Sequence, residues 1–190
     1  MIGEILYTIL PVVGGGILHM LVVRANWLSI LAVPLDGGCM LHGKRLLGDH
    51  KTWRGVVVIL AATTASAGVR AWAEAQQPGW AAWNLVDYAA IVWWQAGLWW
   101  GMAYALSELP NSFLKRRAGI APGRGAGGGA RSTLLAFMDQ ADSAIGCSLV
   151  AWLALGVDFH AALWMMLLGT AVHLLINMLL GFCGLRQRMI

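Results

Sequence analysis

Long apolar runs separated by short polar segments dominate this chain of 190 residues. A helix needs about 20 apolar residues to cross the hydrocarbon core of a bilayer. We predict five transmembrane helices, at residues 5–23, 53–72, 88–106, 134–157 and 161–185. The first of them contains Pro11 and the triplet Gly14-Gly15-Gly16, where we expect a bend.

A further apolar stretch, residues 27–35, is too short to span a membrane. We interpret it as a half-helix or a re-entrant piece that stops at Pro34. The chain length is that of one domain of roughly 150 residues. The predicted fold is therefore all-α and integral to the membrane, with residues 1–190 forming a single membrane-embedded domain.

The basic residues indicate an orientation for the five helices. With this span count, every Lys and Arg except Arg70 falls on one side of the membrane. The positive-inside rule places that side in the cytoplasm, with the N-terminus outside and the C-terminus cytoplasmic. The two connections on that side, residues 24–52 and 107–133, are long, and long loops are usually functional. We expect these two cytoplasmic loops to form the site.

Composition supports the membrane class. Hydrophobic residues make up 59% of the chain and charged residues 12%, and the mean hydropathy is +0.67. A soluble domain has about 25% charged residues, so a typical cytosolic enzyme, a disordered chain and a nucleic-acid-binding tail are excluded, and no nucleic acid partner is expected. The cysteines, Cys39, Cys147 and Cys183, form no C-x-x-C pair, which argues against a zinc ribbon and a disulfide framework.

Basic residues in the first loop suggest an anion site. Lys51 and Arg54 lie three residues apart at the start of the second predicted span, so on a helix they share one face. Cations at a helix N-terminus, beside free backbone N–H groups, bind phosphate or carboxylate. The alternative is that they are topology signals in contact with lipid headgroups. The spacing alone leaves both open.

The second loop begins with an acidic residue, Glu108, and continues to the basic run that ends at Arg117. The glycine-rich residues 123–129 could bring backbone close to a phosphate, but the P-loop pattern is absent and no strand precedes them. A flexible linker explains their composition equally well.

Two pairs of polar residues fall within the last two predicted spans. Asp139 and Asp142 project from one helical face, and a bound Mg²⁺ is a physical reason to keep both carboxylates near a bilayer. The alternative is two solvated carboxylates outside the headgroups, paired with Arg131. His173 and Asn177 also share a face, which we expect to point inward and form hydrogen bonds between helices rather than contact substrate.

Several longer motifs support a family resemblance. They are Ala-Asn at residues 25–26, Pro-Leu-Asp-Gly at 34–37, Gly-Lys-Arg-Leu-Leu-Gly-Asp-His-Lys-Thr-Trp-Arg-Gly at 43–55, Glu-Leu-Pro-Asn-Ser-Phe-Leu-Lys-Arg-Arg at 108–117 and Asp-Gln-Ala-Asp at 139–142. Over residues 25–146 the chain resembles the membrane-bound CDP-lipid synthases, and the CDP-archaeol synthase family more closely than the larger phosphatidate cytidylyltransferases. The Lys-Asp pair of the phosphatidate signature is missing, and Gln140 replaces its Arg.

The resemblance implies an enzyme of phospholipid biosynthesis at the cell membrane, with its active site facing the cytoplasm. Its reaction would transfer CMP from CTP to a lipid phosphate, releasing pyrophosphate. The lipid would be the archaeol-type 2,3-di-O-geranylgeranylglyceryl phosphate or phosphatidate. The implied partners are CTP, the lipid phosphate and membrane lipids, and the oligomeric state is left open, a homodimer included.

The resemblance also implies roles for individual residues. Mg²⁺ would be held by Asp139 and Asp142, with Asp36 and Glu108 as candidates to complete the site. The catalytic cations, which would hold the triphosphate and the lipid phosphate, are Lys51, Arg54, Lys115 and Arg116. The remaining substrate-binding residues would be Lys44, Thr52, Asn111, Ser112 and Arg117.

Two other classes are weighed against this one. A CDP-alcohol phosphatidyltransferase would carry D-G-x-x-A-R, but Asp36-Gly37 is followed by Gly38-Cys39-Met40-Leu41. A non-enzymatic protein that binds or transports anionic lipids would use the basic face for headgroups. That class explains the cations and gives no reason for carboxylates clustered among them.

Overall fold

The computed structural model describes residues 1–86, 91–121 and 130–182, apart from the side chains of residues 130–134, 136 and 180. In these ranges the helices are α1 (Ile2–Thr8), α2 (Leu10–Arg24), α3 (Trp53–Gln76), α4 (Trp93–Arg117), α5 (Ala130–Ala154) and α6 (Phe159–Phe182). Two short strands, β1 (Met40–Leu41) and β2 (Lys44–Arg45), form an antiparallel hairpin. Single 3₁₀ segments lie at Ser29–Leu31 and Pro78–Trp83.

The helices pack in chain order. Each of α2 to α5 packs against the helix that follows it, and α1 contacts α6, which closes the arrangement. The core between them holds Ile5 of α1, Trp100 of α4 and Met165 of α6, all almost without exposed surface. Many large apolar side chains on the outer faces are exposed, as expected for helices that face lipid.

Small residues bring α3 and α4 into close contact. A Cβ atom on Gly97 would lie 2.6 Å from the Cα of Thr64 in the neighbouring helix. The hydroxyl of Thr63 donates across the same contact to the carbonyl oxygen of Gly97, at 2.9 Å. Close backbone approach and side-chain hydrogen bonds are how helices associate in a membrane, where burial of apolar surface gives no advantage over lipid.

The first predicted span is bent, as expected. The axes of α1 and α2 differ by 45°, and the break lies at Ile9, directly before α2, which has Pro11 in its first turn. The glycine triplet that we also expected to bend lies inside α2, where Gly14 and Gly15 instead contact α3. The freed carbonyl of Thr8 accepts a hydrogen bond from Arg70 of α3, at 3.3 Å.

The hydropathy of the helices supports membrane integration but not the full span count. In the described part of the chain, Trp53–Gln76 and Phe159–Leu179 are each long and apolar enough to cross a bilayer, and the bent pair α1–α2 would add a third span. Helices α4 and α5 are 25 residues each, longer than the ~20 residues that a span requires. Five spans and the N-out orientation stay predictions.

The predicted loop at residues 107–133 is wrong over much of its length. Helix α4 runs through Pro110 to Arg117, and α5 begins at Ala130. The acidic and basic residues of this stretch end the apolar run, which is why the sequence predicted a loop there. In the structure those up to Arg117 remain in α4, and several of them form ion pairs or hydrogen bonds with other elements. Residues 123–129, the start of the third predicted span at Tyr88 and the tail residues Arg186 and Arg188 lie outside the described residues.

The first loop also differs from its prediction. Residues 27–35 form one 3₁₀ turn, Ser29–Leu31, and not a half-helix or a re-entrant helix. The hairpin β1–β2 was not predicted, although the fold is otherwise helical as expected. His42 and Gly43 connect the two strands, and both have positive φ, 49° and 71°. A two-residue hairpin of this kind needs left-handed backbone at both central positions.

Replacing Gly97 with Ala tests the α3–α4 contact. The added methyl group would meet the Cα of Thr64 at 2.6 Å, so we expect a loss of about 1–3 kcal/mol of stability, as for other overpacked cores. The measurement is the thermal unfolding midpoint of purified protein in detergent. Gly16→Ala is the matched control because, among the described residues outside its own helix backbone, no atom lies within 4 Å of the added Cβ. Equal midpoints for both variants would contradict the contact.

Candidate functional site

The loop between α2 and α3 folds around the carboxylate of Asp36, whose side chain has no exposed surface. Arg45 donates to its Oδ1 at 2.7 Å, and the backbone N–H of Gly38 donates to the same atom at 3.1 Å. The N–H groups of Leu47 and Gly48 donate to Oδ2 at 2.9 and 3.1 Å. A carboxylate offers about four acceptor positions, so Asp36 is saturated.

The environment of Asp36 favours its ionised form. Burial opposes ionisation, but the hydrogen bonds from Arg45 and from the backbone N–H groups outweigh it and hold the pKa of this carboxyl well below its usual range. Metal ligation would require these donors to leave. The metal role predicted for Asp36 therefore does not fit the geometry, and its carboxylate organises the loop instead.

The hairpin is fastened to the end of α4 by reciprocal hydrogen bonds. The guanidinium of Arg117 donates to the carbonyl oxygens of Leu41, Lys44 and Arg45, at 2.5, 3.0 and 2.6 Å. In return, Lys44 Nζ donates to the carbonyl of Arg117 at 2.9 Å. Both residues were predicted to bind substrate. In the structure they dock the loop onto α4, and their contact with substrate stays a prediction.

Two carboxylates of α5 converge on one side chain of α4. Asn111 Nδ2 donates to Asp139 Oδ1 at 2.6 Å and to Asp142 Oδ2 at 3.1 Å. Lys115, one turn further along α4, forms an ion pair with the same oxygen of Asp139. The predicted pairing of Asp139 and Asp142 on one helical face is confirmed, and that face lies against α4.

Cations from two elements surround these carboxylates. Lys51, in the loop before α3, forms an ion pair with Glu108 of α4. The charge of Glu108 in turn acts on Asp142. Three carboxylates, Glu108, Asp142 and Asp139, therefore lie between two lysines, Lys51 on the loop side and Lys115 on α4.

Arg116 is a cation of a different kind. Its side chain is 8% exposed, and its buried Nε and Nη1 have no hydrogen-bond partner among the described residues. The charge of Asp139 acts on it without a direct hydrogen bond. Because buried N–H groups without hydrogen bonds are costly, Arg116 is a candidate to donate to a bound anion.

The start of α3 separates the residues predicted there. Thr52 is the N-cap, and its Oγ1 accepts from Gly55 N at 3.2 Å. Lys51 precedes the helix and turns to Glu108, whereas Arg54 Nη1 donates to Asn26 Oδ1 at 2.9 Å. The prediction that Lys51 and Arg54 share a helical face is wrong, because the helix begins between them.

Comparisons with known proteins identify the family of this chain. A family model described as CarS-like, CDP-archaeol synthase, matches residues 4–188. The chain belongs to the CDP-archaeol synthase family.

Individual relatives match to different extents. Over 34 residues, this chain is 62% identical to the CDP-archaeol synthases of two strains of Halobacterium salinarum. That match covers 18% of this chain and 19% of the length of those relatives. A solved structure, described as an intramembrane enzyme for archaeal membrane lipid biosynthesis, is similar with a TM-score of 0.55 and 27% identity, over 86% of this chain and 92% of that one. The fold likeness thus extends well beyond the segment of high identity.

The predicted metal ligands of this CDP-archaeol synthase family member fall into two groups. Asp139 and Asp142 lie together, and Glu108 lies near enough to act on Asp142. Asp36 is held apart by its own donors. Among the residues that the structure describes, no three His, Cys, Asp or Glu side chains converge as a ready-made metal site.

Ser112, also predicted to bind substrate, has a local partner. Its Oγ donates to the carbonyl oxygen of Glu108, at 3.0 Å, within α4. Serine often bonds to the preceding turn of a helix in this way. Its contact with substrate stays a prediction.

Two residues near the site were missed in the sequence. His19 of α2 is half-buried, and its Nε2 would lie 3.6 Å from a Cβ atom added to Gly55. The charges of Glu108 and Lys51 act on its imidazole. Tyr104 of α4 lies one helical turn before Glu108, and the charge of Glu108 acts on it. An ionisable residue within an apolar segment is by default a functional candidate, and that signal could have identified His19.

The interhelical role predicted for His173 and Asn177 is confirmed. His173 Nδ1 lies 3.0 Å from Ser143 Oγ and 3.1 Å from the carbonyl oxygen of Gln140. Asn177 donates to the side-chain oxygen of Gln140. Because Gln140 and Ser143 each follow an aspartate directly, α6 fixes the orientation of the helix that carries Asp139 and Asp142.

Replacing Asp36 with Asn tests its role in the loop. A folded-state pKa below the unfolded one means that the ionised carboxylate stabilises the fold above about pH 4, and that this stabilisation is lost as the pH falls further. We expect Asp36→Asn to lower the thermal midpoint at pH 7. The gap between variant and wild type should narrow below about pH 4, as followed by thermal melts across the pH range. A gap that stays constant with pH would contradict this assignment.

Proposed function

We propose that this chain is a CDP-lipid synthase that transfers CMP from CTP to a membrane lipid phosphate and releases pyrophosphate. Membership of the CDP-archaeol synthase family supports this reaction. The relatives' names favour archaeol-type 2,3-di-O-geranylgeranylglyceryl phosphate over phosphatidate as the lipid. We place the enzyme in the cell membrane with its site facing the cytoplasm, in line with the basic residues around that site.

One observation carries the proposal. The paired carboxylates of Asp139 and Asp142 lie beside Lys115 and within reach of the charge of Arg116, whose buried Nε and Nη1 have no hydrogen-bond partner among the described residues. A protein that only binds anionic headgroups would need the cations and would be weakened by the carboxylates. A transferase that handles a triphosphate with a divalent metal needs both.

The chemistry requires positioning more than acid–base catalysis. A lipid phosphate oxygen attacks the α-phosphorus of CTP, and the bond from that phosphorus to the bridging oxygen of pyrophosphate breaks. The attacking phosphate is already ionised at neutral pH, because its second pKa is about 6, so no general base is required. Catalysis then depends on orientation and on cations that neutralise charge on the leaving pyrophosphate.

The residues present fit a Mg²⁺ ion. Mg²⁺ is commonly held by one or two carboxylates together with substrate phosphates. The side chain of Asp139 is 41% exposed, and its Oδ2 accepts no hydrogen bond from the described residues, in contrast to the saturated Asp36. Asp139 and Asp142 would hold the ion, with Glu108 as a third candidate. When bound, the ion would polarise phosphate oxygens and stabilise the charge that develops during transfer.

The ion pairs imply that metal and nucleotide bind together. Lys51 and Lys115 each already balance a carboxylate, Glu108 and Asp139. If a triphosphate alone drew the lysines away, these carboxylates would lose their partners, and if a metal alone took the carboxylates, the lysines would lose theirs. When both bind, the lysines exchange their carboxylate partners for phosphate oxygens and the carboxylates exchange the lysines for the metal ion. No charge is then left without a partner, which avoids the cost of an uncompensated charge.

The two aspartates provide the first test. We expect Asp139→Asn and Asp142→Asn each to lower Mg²⁺-dependent CMP transfer by about 100-fold or more, the cost of removing one electrostatic stabiliser from an active site. The assay follows pyrophosphate release from CTP with matched ether and ester lipid phosphates. Asp158→Asn is the control, because the Asp158 side chain caps the start of α6 through His160 N and Ala161 N. Near-full activity of both site variants would refute the metal role.

Arg116 provides a test that separates binding from folding. We expect Arg116→Met to keep or raise the thermal midpoint, because replacing a buried charged group whose Nε and Nη1 make no hydrogen bond within the described residues with an apolar side chain of similar size is often neutral or stabilising. The same variant should bind CTP about 10-fold more weakly or worse, since hydrogen bonds to charged groups contribute roughly 1.5–3 kcal/mol. Calorimetric titration with CTP and Mg²⁺ measures the affinity, and Arg116→Lys should retain part of it. A destabilised variant with unchanged affinity would make Arg116 structural.

A further inference from the structure

The segment that joins α2 to the loop exposes several large apolar side chains outside the long helices. We name residues 26–33 the apolar turn. Its side chains are far from buried: Trp27 is 67% exposed, Leu28 51%, Ile30 84% and Val33 53%. No large apolar side chain elsewhere in the described ranges is as exposed as Ile30. A contiguous exposed apolar patch of this kind marks an interaction surface.

The backbone of the apolar turn is held in an unfavourable conformation. Asn26 and Leu28 have φ values of 51° and 54°. A bulky residue such as Leu in this left-handed region is an outlier that costs about 1–3 kcal/mol. Arg54 holds the conformation by donating to Asn26 Oδ1 at 2.9 Å and to the carbonyl oxygen of Trp27 at 3.4 Å. The exposed side chains are therefore presented by a fixed backbone.

The shape of the apolar turn determines how deep it can lie. Its regular structure is one 3₁₀ turn, in which Leu31 N donates to Leu28 O and Ala32 N to Ser29 O. Polar backbone groups outside such a turn are not tolerated in the hydrocarbon core, where no water can bond to them. The boundary between headgroups and acyl chains accepts both the apolar side chains and the solvated backbone.

Position and charge identify the occupant. The apolar turn follows α2, which ends at Arg24, and Arg54 of α3 is bonded to it. Trp53 N donates to Val33 O at 3.0 Å and ties the apolar turn to the start of α3, and just after the turn Leu35 N donates to Lys51 O at 2.8 Å. Apolar side chains flanked by arginines match a lipid surface with anionic headgroups, and Trp is typical of this boundary.

We propose that the apolar turn inserts Trp27, Leu28, Ile30 and Val33 into the headgroup–acyl boundary on the side of the membrane that carries the candidate site. This insertion holds the loop of Lys51 and the start of α3 against the bilayer surface. The insertion itself is independent of the proposed reaction. Its consequence for catalysis, delivery of the lipid phosphate to the site, rests on the proposed function.

Spin labels measure the insertion directly. Ile30→Cys and, as matched control, Met40→Cys on the hairpin are labelled with a nitroxide in a background with Cys39→Ser and Cys183→Ser; Cys147 is buried and is kept. Met40 is also exposed, at 59%, but belongs to the hairpin docked on α4. The protein is reconstituted in vesicles of phosphatidylcholine and phosphatidylglycerol.

We expect the Ile30 label to collide with oxygen several-fold more than with a water-soluble nickel chelate, and the Met40 label to show the reverse. Val33→Cys gives a second reading should Ile30→Cys fail to fold. Equal or greater access of nickel at the labelled turn would overturn the insertion.

The catalytic consequence has its own readout. Ile30→Asn should raise the KM for lipid phosphate several-fold and leave the KM for CTP unchanged, relative to Met40→Asn. If Ile30→Asn is active and its KM for lipid phosphate is unchanged, the inference that the apolar turn helps to deliver the lipid phosphate is wrong. An inactive wild-type protein would instead refute the proposed function, and the spin-label result would still decide the insertion.

Discussion

The pairing of charges between α4 and α5 is the interaction on which the rest of the site depends. Lys115 and Asn111 of α4 bind Asp139 and Asp142 of α5, at one end of a bundle whose core is apolar. A carboxylate near a bilayer is costly unless it is paired. The pairing requires α4 to remain helical past Pro110, since only the helical spacing brings Asn111 and Lys115 onto the same neighbour.

The loop before α3 serves this arrangement by supplying one more cation at a defined place. Asp36 gathers donors from three parts of the loop, and Arg117 binds the hairpin from the end of α4. These two sets of hydrogen bonds hold the loop where Lys51 forms its ion pair with Glu108. Some charged residues of the motifs, such as Asp36 and Arg117, therefore stabilise the loop, whereas others, such as Asp139 and Lys115, lie at the candidate site. Motif membership alone does not separate the two sets, because scaffold and site use the same residue types.

Particular residues show how far local pattern reaches. Asp139 with Asp142, and His173 with Asn177, were predicted correctly as pairs because a helix places residues three or four apart on one face. Lys51 and Arg54 have the same spacing and were predicted wrongly, because the helix begins after Lys51. Asp36 lies within a matched motif, and its saturation by Arg45, Leu47 and Gly48 depends on how the loop closes.

The sequence by itself determined that the chain is a membrane protein, where its long apolar helices lie, and which residues carry the family resemblance. These follow from hydropathy and helical spacing, which are properties of residues close together in the chain. The tertiary structure alone decided which charges are already satisfied. Asp36 and Arg117 are engaged within the fold, whereas Arg116 keeps buried N–H groups without a partner among the described residues. A hydrogen bond depends on the distance and direction between two atoms, and only the packed chain brings residues as far apart as Leu41 and Arg117 into contact.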